Sequence, residues 1–198
     1  MVDFKGELMC RRCSWANPKN PIYLKYHDEE WGVPQHDDKM LFEMLILEAF
    51  QAGLSWECIL NKREAFREAF DGFDIHSVAS FDESKCISLA ENKGIIRNRR
   101  KISASVANAK VFIEIQKEFS SFDKYIWLFT DYKTIYEDYS LKTSSDLSDK
   151  ISNDLKRRGM SFVGSTIIYS YLQAIGIINA HGKECALYEG KYYENNRT

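Results

Sequence analysis

Proline is nearly missing from this chain. There are three, Pro18, Pro21 and Pro34, and none after them. Proline breaks helices by clashing with the preceding turn and withholding a backbone donor. Its absence after Pro34 leaves a long stretch free to be helical. No apolar run approaches the roughly 20 residues that span a bilayer, so no membrane partner is expected. The opening MVDFKGELMCRRC lacks the apolar core of a signal peptide, and the cytoplasm is the expected compartment. The five cysteines, Cys10, Cys13, Cys58, Cys86 and Cys185, are an odd number in a chain of 198 residues, which argues against a disulfide framework. Excess positive charge is also missing, since the net charge is −2. Proteins held on nucleic acid by bulk electrostatics are usually basic, so any nucleic-acid face must be local. No repeat, low-complexity run or linker divides the chain, and its length suits one domain, 1–198.

What is present is mostly helical signal. No segment alternates at period 2, so the fold class is read as all-α. The segment before Pro34 is irregular, with one helical turn near Pro21–Glu29. Asp37 is placed to cap a helix that runs to about Ala52 and ends at Gly53. Ser55 caps the next, with Phe66 and Phe70 on one face. Asp74 and Asp82 open short helices, the second ended by Gly94. A long helix runs from about Arg97 to Phe119, with Ile102, Val106, Ala109 and Ile113 at helical spacing. Ser121 opens FDKYIWLF, and 130–145 reads as a polar loop. Ser145 or Asp146 starts a helix to about Arg158, and a last one runs from Ser165 to about Ile178.

The richest stretch lies between Cys13 and Trp56. It holds Trp15, Tyr23, Tyr26, Trp31 and Trp56 in short compass. Within it, Leu41, Met44, Leu45 and Glu48 share one helical face. Glu48 continues an apolar stripe toward the interior, where a lone carboxylate is costly. It is either a structural glutamate, bonded to backbone donors or an arginine, or it serves a ligand. Aromatic faces attract positive charge and a carboxylate accepts from N–H groups, so together they suit a flat, cationic or amine-bearing ligand. Trp31, in EEWGVP, reads as packing at a chain bend.

Two further groupings stand out. His181 and Cys185 are spaced H-x3-C, and Cys13 with His27 would complete a Cys2His2 set suited to tetrahedral zinc. Cys10-x2-Cys13 is a competing pair, and spacing alone leaves these residues free to be unrelated. His36 and His76 read as surface residues without partners. In LKRRGMSFVGSTIIYSYLQAIG a helix ends in Lys156, Arg157 and Arg158, the loop Gly159–Gly164 follows, and Ser165 caps the next helix. Glycines uncover backbone amides and the helix dipole attracts anions. The loop is either a phosphate-binding hairpin or an ordinary joint with a solvated basic face. A second basic cluster, Lys93, Arg97, Arg99, Arg100 and Lys101, opposes a helix dipole, and phosphate is a candidate partner for it.

The segments RCSW, PIYLKYHDEEWGVP, LFEMLILEAFQAGLSW, GIIRNRRKI, LKRRGMSFVGSTIIYSYLQAIG and NAHGKEC occur here in this order. In this the chain resembles the DNA-3-methyladenine glycosylase I family of the helix-hairpin-helix glycosylase superfamily, from Arg12 to Cys185. The resemblance implies a monofunctional base-excision-repair enzyme. It would flip 3-methyladenine out of double-stranded DNA and hydrolyse its glycosidic bond, with no lyase step. It implies that Glu48 recognises the flipped base, as the one residue assigned to catalysis, and that Trp15, Tyr23, Tyr26 and Trp56 line the base pocket. Leu54 would be the wedge in the duplex. The hairpin, with Gly159, Ser161, Gly164 and Ser165, would hold DNA phosphate. Cys13, His27, His181 and Cys185 would bind a structural zinc joining segments 10–34 and 179–186, with Cys10 a bystander. Many superfamily members have an aspartate soon after the hairpin, where this chain has Asn179 and Ala180. Bifunctional members have a lysine where this chain has Ser165 and Thr166. A monomer is expected. A non-catalytic DNA-binding module and a zinc hydrolase are the competing readings.

Overall fold

The computed structural model describes residues 11–138 and 142–188. Its elements are α1 (Pro21–Glu29), α2 (Asp38–Gln51), α3 (Trp56–Leu60), α4 (Arg63–Ala69), α5 (Ile75–Ala79), α6 (Glu83–Glu91), α7 (Arg99–Phe119), α8 (Phe122–Leu128), β1 (Ile135–Tyr136), α9 (Asp146–Arg157), α10 (Ser165–Ala174) and β2 (Ile178–Asn179).

Side-chain caps start most of these helices. Asp37, Ser55, Asp74, Asp82, Ser121 and Ser145 each accept from an amide in the first turn. Such a cap satisfies one of the amides that a helix start leaves without a partner. Asn20 does the same for α1, a full helix where the sequence suggests a single turn. The expected helix after Ser55 is two: the chain turns at Asn61 and Lys62 before α4.

The centre of the molecule is α2. Residues 41–50 are all buried, so this helix is enclosed by neighbours on every side. Helix α10 packs on it, and Tyr171 Oη donates to the Leu41 carbonyl. Asp38, in its first turn, accepts from the amides of Phe122 and Asp123 and so holds the start of α8.

The last helix is shorter than expected, ending at Ala174. The chain then turns at Gly176, and Ile178–Asn179 pair in parallel with Ile135–Tyr136. Two-residue strands leave no alternation to read. Gly176 has φ +73°, and a Cβ there would lie 2.3 Å from the Val33 carbonyl carbon. Only glycine lets these two backbones touch. Here the N-terminal WGVP segment meets the C-terminal segment, Gly32 N–H donating to Gln173 and Gln35 N–H to Ile175.

Candidate active site

Residues from five parts of the chain close around a cavity of about 320 Å³. Trp15, Tyr23, Tyr26 and Trp31 come from the N-terminal segment, Glu48 and Gln51 from α2, and Trp56 from α3. Thr166, Tyr169, Ser170 and Gln173 come from α10, and Lys142 and Thr143 from the segment before α9. All five residues expected to form a base pocket are there. Trp31 joins them, since its ring packs 4.7 Å from Trp15 as well as filling the chain bend. Nothing in the sequence marks the α10 wall: inside a helix, Tyr169 and Gln173 read as ordinary packing residues.

Two glutamates on α2 show what is unusual about the site. Glu43 is 2% exposed and held by Arg63 and Arg67. It is the structural glutamate. Glu48 is 4% exposed, yet no donor among the described residues reaches its carboxylate. Burial alone pushes its pKa from 4.5 up to about 8. Trp56, another residue of the lining, buries its Nε1 with no hydrogen-bond partner among the described residues. Buried polar groups are nearly always paired, so an unpaired carboxylate lining a cavity makes that cavity a candidate ligand site. The rings interlock, Tyr26 with Trp56 at 5.4 Å and Trp15 with Tyr23 at 5.3 Å between centroids.

Behind the aromatic wall Cys13, His27, His181 and Cys185 form a buried group that could hold a metal ion, their donor atoms all within 4.8 Å. The surroundings fix each histidine for that role. His27 Nδ1 is 2.8 Å from Asp28 Oδ1, leaving Nε2 to face Cys185 Sγ at 3.6 Å. His181 Nε2 is 3.0 Å from the Trp31 carbonyl, leaving Nδ1 3.6 Å from Cys13 Sγ and 3.5 Å from Cys185 Sγ. Arg12 grips Asp28 with two nitrogens. Burial lowers the His27 pKa against the pull of Asp28, keeping a lone pair available. Burial pushes the Cys13 thiol up to about 12, and a bound divalent cation reverses that penalty. Cys10 lies outside the described residues, so the competing pair with Cys13 does too. Of the other histidines His76 is exposed. His36 corrects the expectation of no partner: its Nδ1 is 2.7 Å from Asp123.

Leu54 stands 39% exposed, on the turn after α2 where Gly53 has φ +85°. Gln51 clasps that turn, its side chain donating to the Leu54 carbonyl. Lys101 corrects its place in a surface cluster. It is 6% exposed and its Nζ donates to the carbonyls of Phe50 and Ala52. It caps the end of α2 and supports the Leu54 turn.

The hairpin between α9 and α10 is pinned from three helices. Asn108 on α7 exchanges two hydrogen bonds with the Ser161 backbone, both 2.9 Å. Ser152 donates to the Val163 carbonyl, and the hydroxyls of Ser148 and Ser165 meet at 2.8 Å. The amides of Gly159, Met160 and Ser161 are therefore committed internally. Those of Phe162, Val163 and Gly164 have no partner among the described residues. The cap of α10 is Gly164, without a side-chain bond, and Ser165 is the first helical residue, which corrects its expected role. Phe162 holds φ +57°, a left-handed conformation rare for a bulky residue. Arg99, Arg100 and Lys156 line one groove with residues 160–164. Arg157 and Arg158 do not join them, being paired with Asp154 and, for Arg158, Glu118.

The sequence pattern of methyladenine glycosylases matches residues 15–188. The chain belongs to the methyladenine glycosylase family. It is 42% identical to DNA-3-methyladenine glycosylase 1 of Escherichia coli K12, over 90% of this chain and 97% of that protein. With DNA-3-methyladenine glycosylase of Haemophilus influenzae Rd it shares 39%, over 89% and 97%. The crystal structure of a 3-methyladenine DNA glycosylase I superposes with TM-score 0.86 at 41% identity, covering 90% of this chain and 100% of that one. Another, of a variant in complex with 3-methyladenine, gives 0.82 at 37%, covering 85% and 92%. The helix-hairpin-helix glycosylase architecture is therefore that of this family member. Among its described residues no helix is long and apolar enough to cross a membrane.

Proposed function

We infer that this family member is a monofunctional DNA-3-methyladenine glycosylase, releasing the methylated base from double-stranded DNA by hydrolysis. The observation that carries the reading is Glu48, a buried carboxylate without a partner in an aromatic cavity. While attached to its sugar, 3-methyladenine is a cation, so the carbon–nitrogen bond is already weakened. When it breaks, the electron pair stays on the base, which leaves neutral and needs no proton from the enzyme. Water then adds to the sugar carbon and gives up a proton to solvent. The enzyme's task is selection and positioning. A base in the stack must be turned out, at a few kcal/mol that weakened pairing reduces. Leu54 fills the vacated space.

Selection follows from charge. Glu48 holds its proton near neutral pH because nothing compensates a buried anion there. A cationic base supplies the compensation, its amino group donating to the carboxylate while rings stack on its faces. Neutral adenine leaves the burial penalty standing. Trp15, Tyr23, Tyr26 and Trp56 are the stacking surfaces. The free amides at 162–164 and the start of α10 would hold one DNA phosphate. Arg99, Arg100 and Lys156 would follow the same strand along the groove, which makes this the local basic face of a chain with net charge −2.

The four-ligand group fits zinc: two thiols and two imidazoles, each imidazole oriented by a hydrogen-bonded neighbour. Four protein ligands leave no open position, so its contribution is to folding. It would tie the residues around 13–27 to those around 181–185 and back the aromatic wall. A monomer working in the cytoplasm suits these features. The test is base release from methylated duplex DNA by zinc-loaded protein, with the products separated by chromatography. Free 3-methyladenine without strand cleavage is the expected result. Retained DNA binding with no base released would favour a DNA-binding module instead.

A further inference from the structure

Lys142 is the one cation lining the base cavity among the described residues. That placement needs explaining, because a cavity suited to a cationic base should repel a lysine. The free protein answers it with Glu137, whose Oε1 accepts from Lys142 Nζ at 2.7 Å. The other oxygen of Glu137 accepts from Tyr169 Oη at 2.6 Å, and Tyr169 is part of the cavity wall. Glu137 itself is well anchored. It follows β1, and its N–H donates to the Asn179 carbonyl at 3.0 Å. The carboxylate is 16% exposed while Lys142 is 42% exposed. Glu137 is held at its backbone and at its second oxygen, whereas the Lys142 head group ends a long, exposed side chain.

We propose that Lys142 is a positioning residue that exchanges Glu137 for the DNA phosphate next to the flipped nucleotide. The proposal rests on the glycosylase reading above. Three points carry it. The phosphate is bonded to the same sugar as the base, so it reaches the cavity mouth whenever the base enters. Lys142 is the exposed member of the pair, and Glu137 keeps its Tyr169 hydrogen bond when the lysine leaves. The departure also removes a cation from the wall and leaves an uncompensated carboxylate behind Tyr169. Both changes favour a cationic base. Lys142 would thus couple arrival of the backbone to readiness of the pocket.

The experiment uses duplex DNA carrying a stable abasic analogue, so that it needs no base release. Binding is measured against salt for the wild-type protein, Lys142→Gln and Glu137→Gln. Taking away one cation that neutralises a phosphate lowers the slope of log affinity on log salt by about 1. The expected result is a slope reduced by about 1 in Lys142→Gln and kept in Glu137→Gln. An unchanged slope in Lys142→Gln overturns the proposal, as does an equal loss in both variants, which would make the pair a structural latch. Failure of the wild-type protein to excise 3-methyladenine would overturn the glycosylase reading and leave the slope to judge Lys142 as a phosphate ligand.

Discussion

His27 and His181 stand edge to face, their rings 4.9 Å apart at 83°. Each has one nitrogen on a neighbour outside the four-residue group, His27 Nδ1 on Asp28 and His181 Nε2 on the Trp31 carbonyl. The same rings touch the base pocket, for Trp31 lies 4.7 Å from His181 and Trp15 lies 5.1 Å from His27. Metal loss should therefore be felt at the pocket. Replacing His181 by Ala removes a ligand and a packing surface together. We expect zinc content to fall from about one per chain toward zero and stability to drop by about 3 kcal/mol or more. That corresponds to roughly 6–12 °C in melting temperature, with weakened binding of free 3-methyladenine. Elemental analysis decides it: unchanged metal content in the variant would remove His181 from the ligand set.

Glu48 should be a burden on the fold. Burial holds its pKa at about 8 in the folded protein, against 4.5 for an ordinary glutamate. A folded value above the unfolded one means the folded state binds more protons between those limits. Stability on this account is fully present below pH 4.5, declines as pH rises, and is lowest above about 8. At about 1.4 kcal/mol per unit the full effect is on the order of 5 kcal/mol. Glu48→Gln does not titrate, so it should be more stable than wild type at pH 9 by up to that amount, and much less so at pH 5. Excision should nevertheless fall by about 10- to 100-fold, since the charged acceptor for the base is gone. Denaturant unfolding at both pH values is the check; a stability difference that ignores pH would mean Glu48 is ionised by some unseen partner.

Much of this fold was readable because helix starts are written in local chemistry. Asp37, Asp74 and Asp82 cap where their spacing said they would, and of the two candidates Ser145 is the cap and Asp146 the first helical residue. What stayed hidden depends on who arrives from elsewhere. Lys101 and Arg158 look like surface cations in sequence, yet one caps α2 and the other pairs with Asp154 and Glu118. Glu43 and Glu48 sit on the same buried helix, and only the arrival of Arg63 and Arg67 separates the structural residue from the candidate recognition residue. The aromatic half of the pocket was legible from its density. The α10 half was not, since nothing in a helix distinguishes a residue facing a neighbour from one facing a cavity.

The pH dependence of excision should follow Glu48 from the other side. In the free protein the carboxyl is protonated below about pH 8, and a cationic base binds best to the ionised form. The value of kcat/KM reports ionisations of the free enzyme. It should rise with pH through the range of about 6 to 8 and level off above, following the Glu48 pKa of about 8. In Glu48→Gln the same profile should be flat at a lower level. Stopped excision assays on methylated DNA across about pH 6–9 would show this, and a wild-type profile that is flat would break the link between the raised pKa and base selection.

Asn108 offers a way to separate DNA docking from base recognition. Its side chain holds the Ser161 backbone through both a donor and an acceptor and is fully buried. It sits on α7, on which Arg99 and Arg100 also stand, so it sets the distance between the hairpin and the basic groove. Asn108→Ala leaves a buried amide and carbonyl unpaired, at about 1–3 kcal/mol. The hairpin should loosen on the side that presents the free amides at 162–164. We expect duplex DNA to bind about tenfold more weakly, near the lower end of that energy range, with free 3-methyladenine bound as before and metal content unchanged. Titrations of the variant with duplex and with free base would measure both. Equal weakening of the two would show that the hairpin and the pocket form one mechanical unit, against the separate roles of docking and recognition.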